Sequence, residues 1–220
     1  MAVIALMGID GCGKSTLSSA LAADLARRGE PAVATWAMLR PFLLRPFIAA
    51  AKFLLVRKAP KSRDYAAHIA AKRAGMDKLR FAHAVYLAVM VLDYLPQAWW
   101  KVGLPRLLGR HVICDRYYHD MALDYAVTVN GDAARMMHVL RLLERLVPRT
   151  DLHYFVDVPA EVAYARKDDV PSIDYLRERA ALYRTMASEL GLPSLDGQAP
   201  VETGCARIAE DMKRIHSPGT

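Results

Sequence analysis

Residues 8–15, GIDGCGKS, carry the clearest chemical signal in this 220-residue chain. They match the pattern G-x-x-x-x-G-K-[ST], in which glycines turn backbone N–H groups inward to form a concave site for phosphate oxygens. Lys14 can reach the β- and γ-phosphates of a nucleoside triphosphate, and the Ser15 hydroxyl can ligate Mg²⁺. We call residues 8–15 the phosphate loop.

The elements on either side of the phosphate loop are the ones this chemistry needs. Residues 2–7 are all apolar, as in a parallel strand that is buried on both faces. Residues 15–28 space Leu17, Leu21 and Leu25 as a helix does, and the positive end of a helix favours bound anions. The alternative is a glycine-rich turn that merely starts a helix.

Composition limits the class of protein. Hydrophobic residues make up 54% of the chain, and the formal net charge is +7. All of that excess lies in residues 36–63, which hold seven Lys and Arg and no acid. Three distant cysteines indicate a reducing compartment, and the longest apolar run, residues 81–92, is shorter than the roughly 20 residues that span a bilayer. We therefore expect a cytoplasmic protein.

Strand and helix patterns alternate along the chain, which predicts an α/β fold whose parallel sheet has helices on both faces. The predicted strands are residues 2–7, 32–36, 111–115, 152–158 and 193–195. The predicted helices cover 15–28, 41–58, a pair within 64–108 broken near Gly75 and Pro96, 117–145 jointed at Asn130 and Gly131, 159–167, 173–190 and 203–216. Ligands bind beyond the carboxyl ends of such strands, where Gly8, Arg40 and Asp115 fall.

Asp115, Arg116 and Tyr117 directly follow the third predicted strand. A carboxylate at that place can support Mg²⁺, and a neighbouring arginine can clamp a second phosphate. The alternative is a capping aspartate beside a surface arginine. Asp120 and Tyr125 either line an acceptor pocket or belong to an ordinary surface helix.

Four motifs in this order resemble thymidylate kinase: GIDGCGKST at 8–16, DRY at 115–117, VDVPAE at 156–161 leading to Arg166, and LDG at 195–197 before the last helix. The resemblance implies a three-layer P-loop NTPase fold with a five-stranded parallel sheet. It further implies one kinase domain over 1–220 that forms a homodimer. The implied reaction transfers the ATP γ-phosphoryl group to dTMP.

The resemblance also implies roles for individual residues. ATP is held by the loop and the next residue: Gly8, Asp10, Gly11, Cys12, Gly13, Lys14, Ser15 and Thr16. Asp10 also contacts the acceptor sugar, Arg116 and Tyr117 bind the acceptor, and Ser15 and Asp115 hold Mg²⁺. The implied catalytic residues are Lys14, Asp115, Arg116 and Arg166. A mobile lid over about 166–173 supplies Arg166, or Lys167 as the second candidate, to the transferring phosphate.

Two departures from the family concern the acceptor. The sequence WAMLRP at 36–41 replaces the family's Arg-Glu-Pro-Gly turn, so Arg40 is the candidate for its phosphate-binding arginine. Met90 and Tyr94 stand where the family stacks and reads its base. Acceptors other than dTMP, either a different nucleoside monophosphate or another small phosphorylated or hydroxyl compound, therefore stay open.

The basic residues 41–58 predict an amphipathic helix. This helix either packs on its own sheet with solvated cations or lies on a membrane surface or an acidic partner. The second possibility would suit a slow nucleotide-binding switch that docks through this helix. Our expectation is a kinase that binds a nucleoside monophosphate, without nucleic acid and without membrane contact.

Overall fold

The computed structural model describes residues 1–41, 80–129, 132–167 and 169–216. Its strands are β1 Val3–Met7, β2 Ala32–Thr35, β3 His111–Asp115, β4 Leu152–Asp157 and β5 Ser194–Asp196. The helices in these ranges are α1 Lys14–Arg27, α2 Arg80–Ala98, α3 Leu104–Leu107, α4 Tyr118–Thr128, α5 Ala133–Leu146, α6 Ala160–Ala165, α7 Ile173–Leu190 and α8 Val201–His216, with a π-helical turn at Trp99–Gly103.

The five strands form one sheet in the order β2-β3-β1-β4-β5, and every neighbouring pair is parallel. Strand β1 lies in the middle, and all five of its residues are buried, which explains why its sequence VIALM has no polar position. Helices surround the sheet, with α1 packed against α8, and α4 against α5 and α7. The predicted α/β P-loop NTPase fold is confirmed.

Helix α2 corrects one prediction. The predicted break near Pro96 is wrong, because α2 continues through Pro96 to Ala98 and then widens into the π-helical turn. Proline removes one backbone N–H and crowds the preceding turn. Pro96 lies on the exposed side of the helix, where water can bind the carbonyl that lost its partner, and the π-helical turn takes up the local change in winding.

The two faces of α2 differ. Met90, Val91 and Tyr94 are buried in the core, whereas Val85 and Leu92 on the other face are 39% and 61% exposed. The apolar run near residues 81–95 therefore supplies both core and apolar surface. Within the described residues, no helix combines the length and apolar character that crossing a membrane requires.

Several predictions fall outside the described residues. They are the basic helix over 42–58, the break near Gly75 and the joint at Asn130 and Gly131. Asp168 of the predicted lid is outside as well.

Candidate active site

The phosphate loop connects β1 to α1, and glycine is required at two of its turns. Gly8 and Gly11 have φ angles of 149° and 82°, which side chains disfavour. A Cβ on Gly11 would lie 2.4 Å from the Ala163 carbonyl oxygen, and one on Gly8 would lie 2.5 Å from that of Val156. The phosphate loop therefore packs closely against β4 and α6, and its last two residues, Lys14 and Ser15, already belong to α1.

Lys14 closes the phosphate loop on itself. Its Nζ donates to the carbonyl oxygens of Gly8 at 2.8 Å and Ile9 at 2.7 Å, and it lies 3.3 Å from the Cys12 Sγ. Only 5% of Lys14 is exposed. The ammonium group thus lies over the concave side of the loop, where phosphate oxygens would compete for its hydrogen atoms.

The Ser15 hydroxyl donates to the Asp115 carboxylate. The sheet accounts for this contact, since β1 pairs with β3 and Leu6 stands opposite Asp115. A hydroxyl and a carboxylate oxygen side by side form a donor set of the kind Mg²⁺ takes, with waters and substrate phosphates completing its shell. No cluster of three or more His, Cys, Asp or Glu side chains suited to a metal occurs among the described residues.

Arg116 connects the phosphate loop to the other side of the site. Its backbone has a φ of 66°, an uncommon conformation for a residue with a side chain. Its Nη2 pairs with the Asp10 carboxylate in the phosphate loop, and its Nη1 donates to the Asp120 Oδ1 at 2.8 Å. The predicted approach of Arg116 to the phosphate loop is therefore observed, and one guanidinium lies between two carboxylates.

Asp120 and Tyr183 lie behind Arg116, away from solvent. Asp120 is 1% exposed, and its carboxylate accepts hydrogen bonds from the Arg116 guanidinium, the Tyr183 hydroxyl and the Tyr117 backbone N–H. Burial raises the pKa of Asp120, and the nearby cations and donors only partly offset this effect. Burial opposes the charge on Arg116, but Asp120, Tyr183 and Asp10 outweigh it and raise the pKa of Arg116.

Asp10 has the opposite balance. Burial alone would raise the pKa of Asp10, but Arg116, Lys14 and Lys167 together lower it. The Lys167 Nζ lies 3.7 Å from the Asp10 Oδ1. Asp10 is therefore an ionised carboxylate among three cations.

The two lid candidates lie on different sides of the phosphate loop. Lys167 faces Asp10, whereas the Arg166 Nη1 donates to the Gly197 carbonyl oxygen at 2.8 Å. Gly197 lies so close to the loop that a Cβ would be 2.6 Å from the Cys12 carbonyl oxygen. In this arrangement Lys167, the second candidate, is on the same side as Asp10, and Arg166 borders the chain after β5.

The remaining substrate candidates are spread along α2 and its neighbours. The Arg40 guanidinium lies over the Trp36 ring, 5.1 Å from its centroid, and the Arg40 backbone exchanges hydrogen bonds with Gln97. Met90, Tyr94 and Tyr117 belong to the buried core, with the Tyr94 and Tyr117 hydroxyls donating to the Ala37 and Pro148 carbonyl oxygens. Acceptor binding by these four residues stays a prediction.

Sequence patterns found only part of this site. Asp120 and Tyr125 are 1% and 4% exposed, so the surface-helix interpretation is wrong for both. The pairing of Asp120 with Arg116 had a signal, because residues four apart share a helix face. Tyr183 had none, since it reaches Asp120 across 63 residues.

A second ion pair was also missed. Arg179 on α7 pairs with Asp124 on α4, and its guanidinium lies 4.6 Å from the centroid of the Tyr175 ring. Its buried Nε has no hydrogen-bond partner in the part of the chain that the structure describes. This ion pair joins α4 to α7, as the contact between Asp120 and Tyr183 near Arg116 does.

Comparison with known proteins shows a distant likeness over nearly the whole chain. No family model matches the chain. A curated relative from Pyrobaculum aerophilum, named "Probable thymidylate kinase", is 24% identical over 221 residues, which cover 98% of this chain and 98% of the relative. Together with the fold, this likeness supports a nucleotide-binding protein of the kinase type and leaves the acceptor open.

Proposed function

We propose that this chain transfers the γ-phosphoryl group of ATP to a nucleoside monophosphate, with dTMP as the first acceptor to test. The observation that carries the proposal is the position of Arg116, which faces the phosphate loop while paired with its Asp10. A phosphate loop with an arginine opposite it suits a reaction that transfers a phosphoryl group between two phosphate-bearing substrates. The printed name of the relative points to the same acceptor.

On the donor side, backbone N–H groups of residues 8–15 and the N-terminus of α1 bind the ATP phosphates. Lys14 leaves the Gly8 and Ile9 carbonyl oxygens and binds the β- and γ-phosphate oxygens. Ser15 and Asp115 would hold Mg²⁺, which when bound would neutralise phosphate charge. These residues orient the γ-phosphoryl group and stabilise the charge of the transition state.

On the acceptor side, Arg116 holds the monophosphate in line with the γ-phosphoryl group. Asp10 accepts a hydrogen bond from a sugar hydroxyl, as the family resemblance implies. Residues 166–173 act as a lid that excludes water, with Lys167 the better placed of its two cations because it already lies near Asp10. We keep Arg166 as a candidate for a closed form of the lid.

An acceptor panel tests the proposal. ADP release is measured with ATP, Mg²⁺ and each of dTMP, dUMP, the other nucleoside monophosphates, the matching nucleosides, or no acceptor. We expect release to depend on a monophosphate and to be most efficient with dTMP. Release at one rate whether or not an acceptor is present would contradict the proposal and favour the nucleotide-binding switch.

A second candidate is the same phosphoryl transfer to a different small acceptor. Met90 and Tyr94 favour it, because both are buried at the positions where base recognition was expected. The nucleoside and non-dTMP arms of the panel distinguish this candidate. A preference of at least about tenfold for another acceptor, which corresponds to about 1.4 kcal/mol, would replace dTMP.

We also propose that the chain forms a homodimer and that it works in the cytoplasm. Apolar side chains exposed on and beyond α2 support an interface: Val85, Leu92, Trp99 and Trp100. Light scattering of the purified chain measures its mass directly, and a monomer at micromolar concentration would contradict the proposal.

A further inference from the structure

The two carboxylates that bind Arg116 differ in their access to a ligand. The Asp10 side chain is 25% exposed, whereas that of Asp120 is 1% exposed. An incoming phosphate can compete with Asp10 for the Nη2 of Arg116, but it cannot reach the Nη1 side, which is buried. Asp120 is therefore the permanent partner, and Asp10 is the exchangeable one.

Tyr183 completes the buried side. It is fully buried on α7, and its hydroxyl donates to the same Asp120 oxygen that accepts from Arg116. The other Asp120 oxygen accepts from the Tyr117 backbone N–H at 3.2 Å. Both carboxylate oxygens are thus held, so the carboxylate cannot rotate without breaking a buried hydrogen bond.

The backbone of Arg116 makes this support necessary. A φ of 66° costs free energy in a residue with a side chain and persists only where surrounding contacts hold it. The Arg116 N–H donates to the Leu6 carbonyl oxygen at 3.2 Å, which joins the backbone to β1 but leaves the guanidinium free to turn. Among the described residues, Asp120 supplies the buried contact that fixes the guanidinium.

We propose that Asp120 and Tyr183 are positioning residues that aim the Arg116 guanidinium at the phosphate of the acceptor. The inference rests on the proposed function. Tyr183 lies on the helix that follows the lid, so the orientation of Arg116 also depends on where α7 packs. Neither residue touches the reacting atoms.

Two conservative variants test the inference, each with a matched control. Tyr183→Phe removes one buried hydroxyl that donates to a carboxylate. Tyr154→Phe does the same at a distance from the site, because the buried Tyr154 donates to Asp211 on α8. Asp120→Asn neutralises an aspartate that accepts hydrogen bonds from an arginine and a backbone N–H. Its control is Asp151→Asn at the opposite edge of the sheet, where Asp151 accepts hydrogen bonds from Arg106 and from the Val3 backbone N–H.

Steady-state kinetics give the first measurement. We expect Tyr183→Phe to raise the KM for the acceptor about tenfold. We expect Asp120→Asn to lower kcat/KM for the acceptor about a hundredfold. The KM for ATP should stay within about twofold in both, and the two controls should leave both KM values within that range. A uniform loss for both substrates would indicate a merely structural role and would overturn the inference.

Arginine side-chain NMR gives a measurement that needs no acceptor. Slow rotation of the Arg116 guanidinium is expected in the native protein and in both controls, and faster rotation in Tyr183→Phe and Asp120→Asn. Arg116→Lys identifies the resonance. Unchanged rotation in both variants would overturn the inference. Changed rotation in a protein that phosphorylates no monophosphate would uphold the positioning role and contradict the proposed function.

Discussion

Strand β3 has an arginine–aspartate cluster at each end, and the two clusters are built differently. Before the strand, Arg106 donates to the Asp151 carboxylate and the Arg149 carbonyl oxygen, and Asp151 accepts from the Val3 N–H. These contacts join the chain segments that lead into β1, β3 and β4. After the strand, Arg116 binds two carboxylates instead of one.

The charge balance shows what the difference means. The cluster at the amino edge pairs one cation with one anion, and its other hydrogen bonds are to backbone groups. The cluster at the carboxyl edge has a second carboxylate, Asp10, which interacts with three cations: Arg116, Lys14 and Lys167. A phosphate can replace that carboxylate at each cation. Hence the amino edge stabilises the sheet, and the carboxyl edge is where we expect anions to bind.

The largest effect should come from Lys14→Ala. We expect phosphoryl transfer to fall by about a thousandfold or more, because a preorganised cation for the transferring group is lost. The melting temperature should change little, since the Gly8 and Ile9 carbonyl oxygens can take water once the loop opens. The acceptor assay and a thermal melt measure both quantities.

Lys101→Ala is the matched control for Lys14→Ala. Lys101 also donates to a backbone carbonyl oxygen, that of Met38 at 3.3 Å, but away from the phosphate loop. Its loss should leave the rate within about twofold. If both lysine variants lost activity equally, the contrast between a binding site and an ordinary lysine contact would be wrong.

A second prediction sets the two arginines against each other. Arg116→Ala should lower kcat/KM for the acceptor by about a hundredfold or more, with the KM for ATP nearly unchanged. Arg106→Ala should leave acceptor kinetics unchanged and lower the free energy of unfolding by about 1–2 kcal/mol, because the partly exposed hydrogen bonds to Asp151 and to the Arg149 carbonyl oxygen are both lost. Acceptor kinetics and urea unfolding are measured on both variants.

Stability alone does not separate these arginines. Arg116→Ala also leaves the buried Asp120 without its cation, so some destabilisation is expected there too. The separation lies in the acceptor kinetics. Normal acceptor kinetics in Arg116→Ala would contradict both the proposed function and the contrast between the two edges.

The sequence predicted those features that depend on nearby residues. The phosphate loop, the strand before it and the helix after it lie within 25 consecutive residues, and each follows from local geometry. The strand ends that bring Asp115 and Arg116 to the loop follow from the parallel order of the sheet. The path of α2 through Pro96 was missed because proline is a local signal, whereas the residues that hold this part of the helix in the core are its buried neighbours Tyr94 and Ala98.

The buried side of the site could not be predicted in the same way. A carboxylate four residues after an arginine indicates an ion pair, but nothing local tells whether that pair faces solvent or core. The contact between Tyr183 and Asp120 exists only because α7 packs against α4. A contact between two elements that are distant in sequence can be recognised only in the tertiary structure. For this reason the sequence predicted Asp115 and Arg116 at the carboxyl edge but not Tyr183 behind them.

The smallest predicted effect concerns a pair of histidines that lies between the two edges of the sheet. His119 on α4 is buried, and its Nε2 lies 3.0 Å from the Nδ1 of His153 on β4. Burial and the neighbouring ring lower the pKa of His119, and burial lowers the pKa of His153. The folded protein therefore binds fewer protons than the unfolded chain once the pH falls below about 6.5.

Stability should consequently fall as the pH falls from about 7.5 to 5.5, by up to about 1.4 kcal/mol per pH unit for each histidine. Urea unfolding at three pH values measures this slope. His119→Gln should reduce it, whereas His138→Gln, on the exposed face of α5, should not. Asp10 cannot produce this slope in His119→Gln, because the cations around Asp10 lower its pKa and keep it ionised throughout this range. An equal slope in all three proteins would show that the acid sensitivity comes from a group other than the histidine pair. Asp120 is not that group, because its raised pKa makes the folded protein more stable, not less, as the pH falls.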